Sequence, residues 1–144
     1  MAKIILASHG GLSKGMKDSV SMIVGDLAKD VETYSLLPGH NPEDFYQEVL
    51  KEAKESEEQI LILCDIKGGS VHTALSKLAV LDNVMVFSGM NMGLALDAVM
   101  KSLGGNLELA DANACATLPT MMLPALPSLR SAPTTSTSLT RRAR

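Results

Sequence analysis

Three short polar segments carry the residues from which chemistry can be built: SHGGLS at 8–13, DIKGGS at 65–70 and SGMNMG at 88–93. Each follows an apolar run, and His9, Asp65 and Asn91 occupy equivalent places in their units. A neutral imidazole is a nucleophile near physiological pH when one ring nitrogen is held as a donor and the other exposes its lone pair. Asp65 is a candidate partner for the first nitrogen of His9, fixing the tautomer and stabilising the charge that develops as the second attacks. Gly10 and Gly11 allow close backbone approach, while Gly68, Gly69 and Ser70 can offer N–H groups to an anion at a helix start. Such a set suits receipt of a phosphoryl group, a reaction served mainly by positioning and electrostatics. His72, just inside the following helix, and Asn91 are candidates for the rim. Met90 and Met92 flank Asn91 and suit either an apolar rim or the core.

Blander readings stand beside this one. A lone His next to a glycine turn is more often structural, and Asp65 by itself could brace its loop. The recurrence of polar segments at strand ends is what singles out His9 and Asp65 as a catalytic pair. There is no GxxxxGK[ST] phosphate loop, and SHGG is not the GxSxG elbow of serine hydrolases. A metal set of His9 and Asp65 with His40 or His72 lacks diagnostic spacing, so neither a metal nor a cofactor is expected. His40, in PGHN, reads as a surface turn residue.

The elements that must position these residues are written in the hydrophobic pattern. Lys3–Ala7, Val31–Leu36, Ile60–Cys64 and Val84–Phe87 are expected strands, their aliphatic runs suited to a buried parallel sheet. Between them the period lengthens. Leu12, Met16, Val20, Ile23, Val24 and Leu27 predict one helical stripe, and Phe45, Val49, Leu50 and Ala53 a second. Val71, Ala74, Leu75 and Leu78 predict a third, and Met92, Ala95, Leu96, Val99 and Leu103 a fourth. Asn41-Pro42 with Glu43 and Asp44 marks a capped helix start. The expectation is an α/β fold: an open, mostly parallel four-stranded sheet with helices on both faces and an atypical C-terminal extension. Function in such sheets collects beyond the carboxyl ends of the strands.

Composition agrees with one domain and restricts its partners. The 144 residues are 46% hydrophobic but only 3% aromatic, so aliphatic side chains and nine Met must fill the core. A formal charge of −3 argues against a nucleic-acid surface. Residues 1–111 hold nine Lys and 16 acids, whereas residues 112–144 hold four Arg and no acid. The later segment is rich in Pro, Ser and Thr, and we expect it to be partly or wholly flexible. Cys64 and Cys115 form no disulfide framework. KIILA is too short for a signal sequence or membrane span, so a cytoplasmic location is expected.

At these residues the chain resembles the mannose-family enzyme IIA domain of the bacterial phosphoenolpyruvate-dependent sugar phosphotransferase system. The resemblance rests on KIILASHGGLSKGMKDS, the PG-x-N-P segment, LCDIKGGSVHTA and VFSGMNMGLAL, and spans about residues 2–104. It implies that His9 takes a phosphoryl group from the histidine-containing phosphocarrier protein and passes it to an enzyme IIB domain. It further implies that Asp65 holds the ring nitrogen away from the phosphate, with Gly68, Gly69 and Ser70 near the phosphoryl group. No metal or nucleotide is implied at the transfer step. A homodimer exchanging a late strand, and an indirect link to a membrane sugar permease, are also implied. After Leu109 the resemblance leads one to expect a strand and a closing amphipathic helix; the chain has a proline-rich stretch instead, acid-free from residue 112 on. The phosphoryl-transfer subunit of a dihydroxyacetone kinase complex and a non-catalytic protein-binding module are the alternatives. The GGS turn and the PG-x-N-P segment favour the sugar-transport branch.

Overall fold

The computed structural model describes residues 2–103. Its elements alternate in chain order: β1 Lys3–His9, α1 Leu12–Val24, β2 Glu32–Leu36, α2 Pro42–Glu55, β3 Ile60–Cys64, α3 Ser70–Leu75, β4 Val84–Ser88 and α4 Met92–Ser102. Short 3-10 turns follow α1 and α3, at Gly25–Ala28 and Ser76–Val80. The sheet order is β2-β1-β3-β4, and all three pairs are parallel. The expected domain boundary near residue 111, the 112–144 extension and Cys115 lie outside the described residues.

Side-chain alternation along each strand divides the core into two layers. Ile4, Leu6, Leu61, Leu63 and Met85 point to one face and pack with Val20 of α1 and Leu94, Ala95, Ala98 and Val99 of α4. Ile5, Ala7, Ile60, Ile62, Cys64 and Val84 point to the other and meet Val49 and Ala53 of α2 and Val71 and Leu75 of α3. Ile5, Ile62 and Leu63 are wholly buried, each such side chain contributing roughly 1.5–3 kcal/mol. Met90 is buried and Met92 packs against the first layer, so both belong to the core rather than to an apolar rim.

The α1 stripe differs from its expected form. Leu12, Ile23 and Leu27 are exposed, and only Val20 of the six is fully buried. Two causes are visible. Gly25, at φ 60°, ends the helix before Leu27. The inner face is also rotated toward Ser13 and Lys17, which hold polar partners. The Ser13 hydroxyl donates to Tyr34 O at 2.7 Å, and Lys17 Nζ donates to Val31 O at 2.6 Å. In α4 the inner face includes Leu94 and Ala98, while Leu103 lies past the helix end and is exposed.

Register is what matters for the site. Ala7 pairs with Cys64, and Cys64 with Ser88, so β1, β3 and β4 finish at nearly one level. The chain runs from β1 to β2 on one side and from β3 to β4 on the other, leaving a topological switch point between β1 and β3. His9 and Asp65 stand at its lip.

Candidate active site

β1 continues two residues beyond its expected end and carries His9 as its last residue. The N–H of Asp65 donates to Ala7 O at 3.1 Å, so the ladder between β1 and β3 extends to the edge of the site. One carboxylate oxygen, Asp65 Oδ2, accepts from the backbone N–H of His9 and lies 2.8 Å from its Nδ1. The other, Oδ1, accepts from the Ile66 N–H at 2.8 Å.

These bonds determine the charge state of the acid. Burial acts to raise the Asp65 pKa, but the hydrogen bonds from the His9 backbone and ring and from Ile66 outweigh it. The net effect holds the carboxyl below its ordinary value. An ionised carboxylate only accepts, so the network assigns the ring proton of His9 to Nδ1. Nε2 then carries the lone pair, and Ser70 Oγ, 2.9 Å away, is its hydrogen-bond partner. The His9 side chain is 43% exposed against 10% for Asp65. The arrangement holds an accessible imidazole on a buried carboxylate.

The glycines act differently from one another. Gly10 has φ +56° and donates its N–H to Leu36 O at 2.9 Å, turning the chain from β1 into α1 while tying it to β2. Gly68 has φ +78° and donates to Nδ1 of His72 at 3.2 Å. Gly69 donates to Ile66 O at 3.3 Å, and a β-carbon on it would stand 3.0 Å from His9 Cε1. The amides of Gly10, Gly68 and Gly69 are thus engaged within the fold, whereas the Ser70 hydroxyl reaches the imidazole.

His72 is half-buried beside the loop and bonds to Gly68 rather than to His9. Asn91 caps α4, accepting from the Leu94 N–H at 3.0 Å and donating to Gly89 O at 3.3 Å. Its loop supports the site through the backbone, since the Gly89 and Met90 N–H groups donate to Asp65 O and Cys64 O. His40 is exposed in its turn. Among the described residues, no group of three or more His, Cys, Asp or Glu side chains is placed to hold a metal ion. Cys64 is fully buried, and its thiol is pushed up to about 12, chiefly by burial and then by the Asp65 charge.

One network escaped sequence reasoning. Ser8 and Ser13 are both fully buried, and the Ser13 N–H donates to Ser8 Oγ at 2.7 Å. The Ser13 hydroxyl also lies 3.0 Å from Ser35 Oγ, joining the start of α1 to the ends of β1 and β2. The available signal was a pair of serines bracketing a glycine turn where an apolar strand and an apolar helix face meet.

Comparison with known proteins agrees with this fold. The family model for the EIIA-man group, described as the PTS system fructose IIA component, matches residues 3–115. The sorbose-specific EIIA component of Klebsiella pneumoniae is 32% identical over 101 residues, covering 69% of this chain and 73% of that protein. Among solved structures, the mannose/sorbose-specific IIA subunit of Enterococcus faecalis has a TM-score of 0.65 at 27% identity, covering 83% of this chain and 87% of that one. The phosphotransferase component EIIA of Streptococcus agalactiae has a TM-score of 0.70 at 25% identity, covering 84% and 93%. Among the described residues no helix is long and apolar enough to cross a membrane. With His9 and Asp65 both inside the matched span, the chain belongs to the mannose-family enzyme IIA components of the sugar phosphotransferase system, and its role is in sugar phosphotransfer.

Proposed function

We propose that His9 is a phosphoryl carrier, loaded by the histidine-containing phosphocarrier protein and discharged onto a histidine of an enzyme IIB domain. The observation that carries this reading is the unequal hold on one exposed ring: a carboxylate on Nδ1 at 2.8 Å and a neutral hydroxyl on Nε2 at 2.9 Å. Attack by the Nε2 lone pair forms a new N–P bond as the donor's N–P bond breaks, and the donor imidazole keeps the released electron pair. The Nδ1 proton stays on His9, and Asp65 stabilises the positive ring. The Ser70 hydroxyl turns from Nε2 to a phosphoryl oxygen as the group arrives. In this reading Gly10, Gly68 and Gly69 shape the backbone so that the phosphoryl group can approach, and the first turn of α3 faces it.

The surroundings favour protein partners over a small substrate. Leu12, Leu37 and Ile66 are 49%, 45% and 59% exposed and follow the carboxyl ends of β1, β2 and β3, an apolar rim around an accessible imidazole. A cavity of about 800 Å³ lies at the other end of the sheet, lined by Lys3, Lys17, Glu32 and Glu52 among others. The sugar itself is then handled by a membrane permease downstream. The Klebsiella relative is named for sorbose and the Enterococcus one for mannose and sorbose, which supports a sugar-transport branch. We assign residues 1–111 to the carrier domain and place the protein in the cytoplasm as a homodimer.

Incubation with phosphoenolpyruvate, enzyme I and the phosphocarrier protein tests the relay. The expected product is an acid-labile mass increase of one phosphate, absent in His9→Ala. Equal labelling of a folded His9→Ala variant, or no labelling of the wild type, overturns it.

A further inference from the structure

We propose that His72 is a positioning residue, whose unprotonated Nδ1 latches the 68–70 turn against His9 and releases it in acid. This rests on the relay at His9. Opposite Asp65, the turn meets the imidazole at two points: a β-carbon on Gly69 would stand 3.0 Å from Cε1, and Ser70 Oγ lies 2.9 Å from Nε2. The turn is closed from behind. The Gly68 N–H donates to His72 Nδ1 at 3.2 Å, the Gly69 N–H to Ile66 O at 3.3 Å, and the Thr73 hydroxyl to Gly68 O at 3.5 Å. Of these three closures, the one made by His72 depends on a ring nitrogen that loses its acceptor lone pair when it takes up a proton.

The bond requires the proton of neutral His72 to sit on Nε2, because a nitrogen accepting from Gly68 must expose its lone pair. A second proton makes Nδ1 a donor, and two N–H groups then face each other across the turn. His72 has no hydrogen bond to His9, so its influence passes through Gly68 to Gly69 and Ser70. Charged and titratable groups on the packed elements include His9 of β1, Asp65 and Lys67 of the loop, Glu43, Asp44, Tyr46 and Glu48 of α2, and Lys77 beyond α3. Asp65 is committed to His9 and Ile66. Glu43 pairs with Lys77 at 2.8 Å, whose ammonium lies 5.2 Å over the Tyr46 ring. Opening of the turn is linked to a second proton on His72 because that proton occupies the nitrogen that accepts from Gly68.

His72→Asn separates this inference from a merely structural role, since Asn Oδ1 sits where Nδ1 does, accepts a hydrogen bond and does not titrate. Single-turnover transfer from the phosphorylated phosphocarrier protein is measured against pH for wild type, His72→Ala and His72→Asn. The Gly68 amide is followed by NMR through the same titration. At pH 8, His72→Ala is expected to transfer about tenfold more slowly, and His72→Asn to recover most of that loss. As pH falls, the wild type should lose activity more steeply than His72→Asn. The wild-type Gly68 amide shift should move with the His72 ring. A Gly68 amide indifferent to His72, or identical pH profiles for wild type and both variants, overturns the proposal. If the wild type is never labelled while Gly68 still tracks His72, the relay fails and the linkage within the turn survives.

Discussion

Gly69 and His9 are packed so closely that a β-carbon on Gly69 would stand 3.0 Å from His9 Cε1. The backbone there is ordinary, with φ −67° and ψ 164°, so any residue could adopt it. Glycine is needed for the approach rather than for the conformation.

Gly69→Ala is therefore expected to fold and to carry phosphate poorly. The added methyl also meets Ile66 Cγ2 at 2.8 Å, but Ile66 is 59% exposed and can turn away. The ring must yield by a few tenths of an ångström, which moves Nε2 relative to Ser70. Transfer should slow about tenfold, since small misplacements at a reacting centre are costly. Single-turnover kinetics beside a thermal melt checks this; a normal rate with an altered melting temperature would show the contact to be only structural.

Asp65→Asn keeps the shape and removes the charge. Transfer should fall by about 100-fold or more, because the proton on Nδ1 and the positive ring both lose their stabilising partner. The same change should alter acid stability with a definite sign. The folded carboxyl lies below its ordinary 3.8, because the hydrogen bonds from His9 and Ile66 outweigh the opposing effect of burial. Its stabilising contribution is thus present above that ordinary value and disappears as pH falls through the lower folded value. Urea unfolding at a series of pH values should show wild type ahead of Asp65→Asn near neutrality, with the gap closing below 3.8. A gap that widens in acid would contradict this assignment.

Tyr34→Phe should stabilise the protein. Tyr34 stacks on Phe45 with ring centroids 4.2 Å apart, yet its buried hydroxyl has no hydrogen-bond partner among the described residues. Removing that oxygen retains the stacking and relieves an unsatisfied group, a gain of about 1 kcal/mol. A rise in the urea midpoint with unchanged transfer is the expected result, and a fall would mean that the hydroxyl has a partner in solution.

Much of this arrangement was legible in the chain because it depends on local periodicity. ILILC reads as a strand buried on both faces, and all five residues are buried. Asn41 reads as a cap, and its side chain accepts from the Glu43 N–H at 3.0 Å. The α1 stripe departs from its hydrophobic pattern because hydrophobicity alone does not reveal that Ser13 and Lys17 have polar partners inside. For the same reason Ser8 and Ser35 carried no expectation.

The sequence by itself determined the α/β alternation, the two-layered core and the presence of His9 and Asp65 at strand ends, since each follows from short-range pattern and burial. Only the tertiary structure decided that these two residues meet. Their union depends on the pairing of Ala7 with Cys64, a register set by strands more than fifty residues apart in the chain. The turn that closes over Nε2 was likewise decided in three dimensions. Gly69 must approach His9, Ser70 must reach it, and His72 must hold Gly68 behind them. Those relations are distances between separate segments, and local periodicity does not encode them.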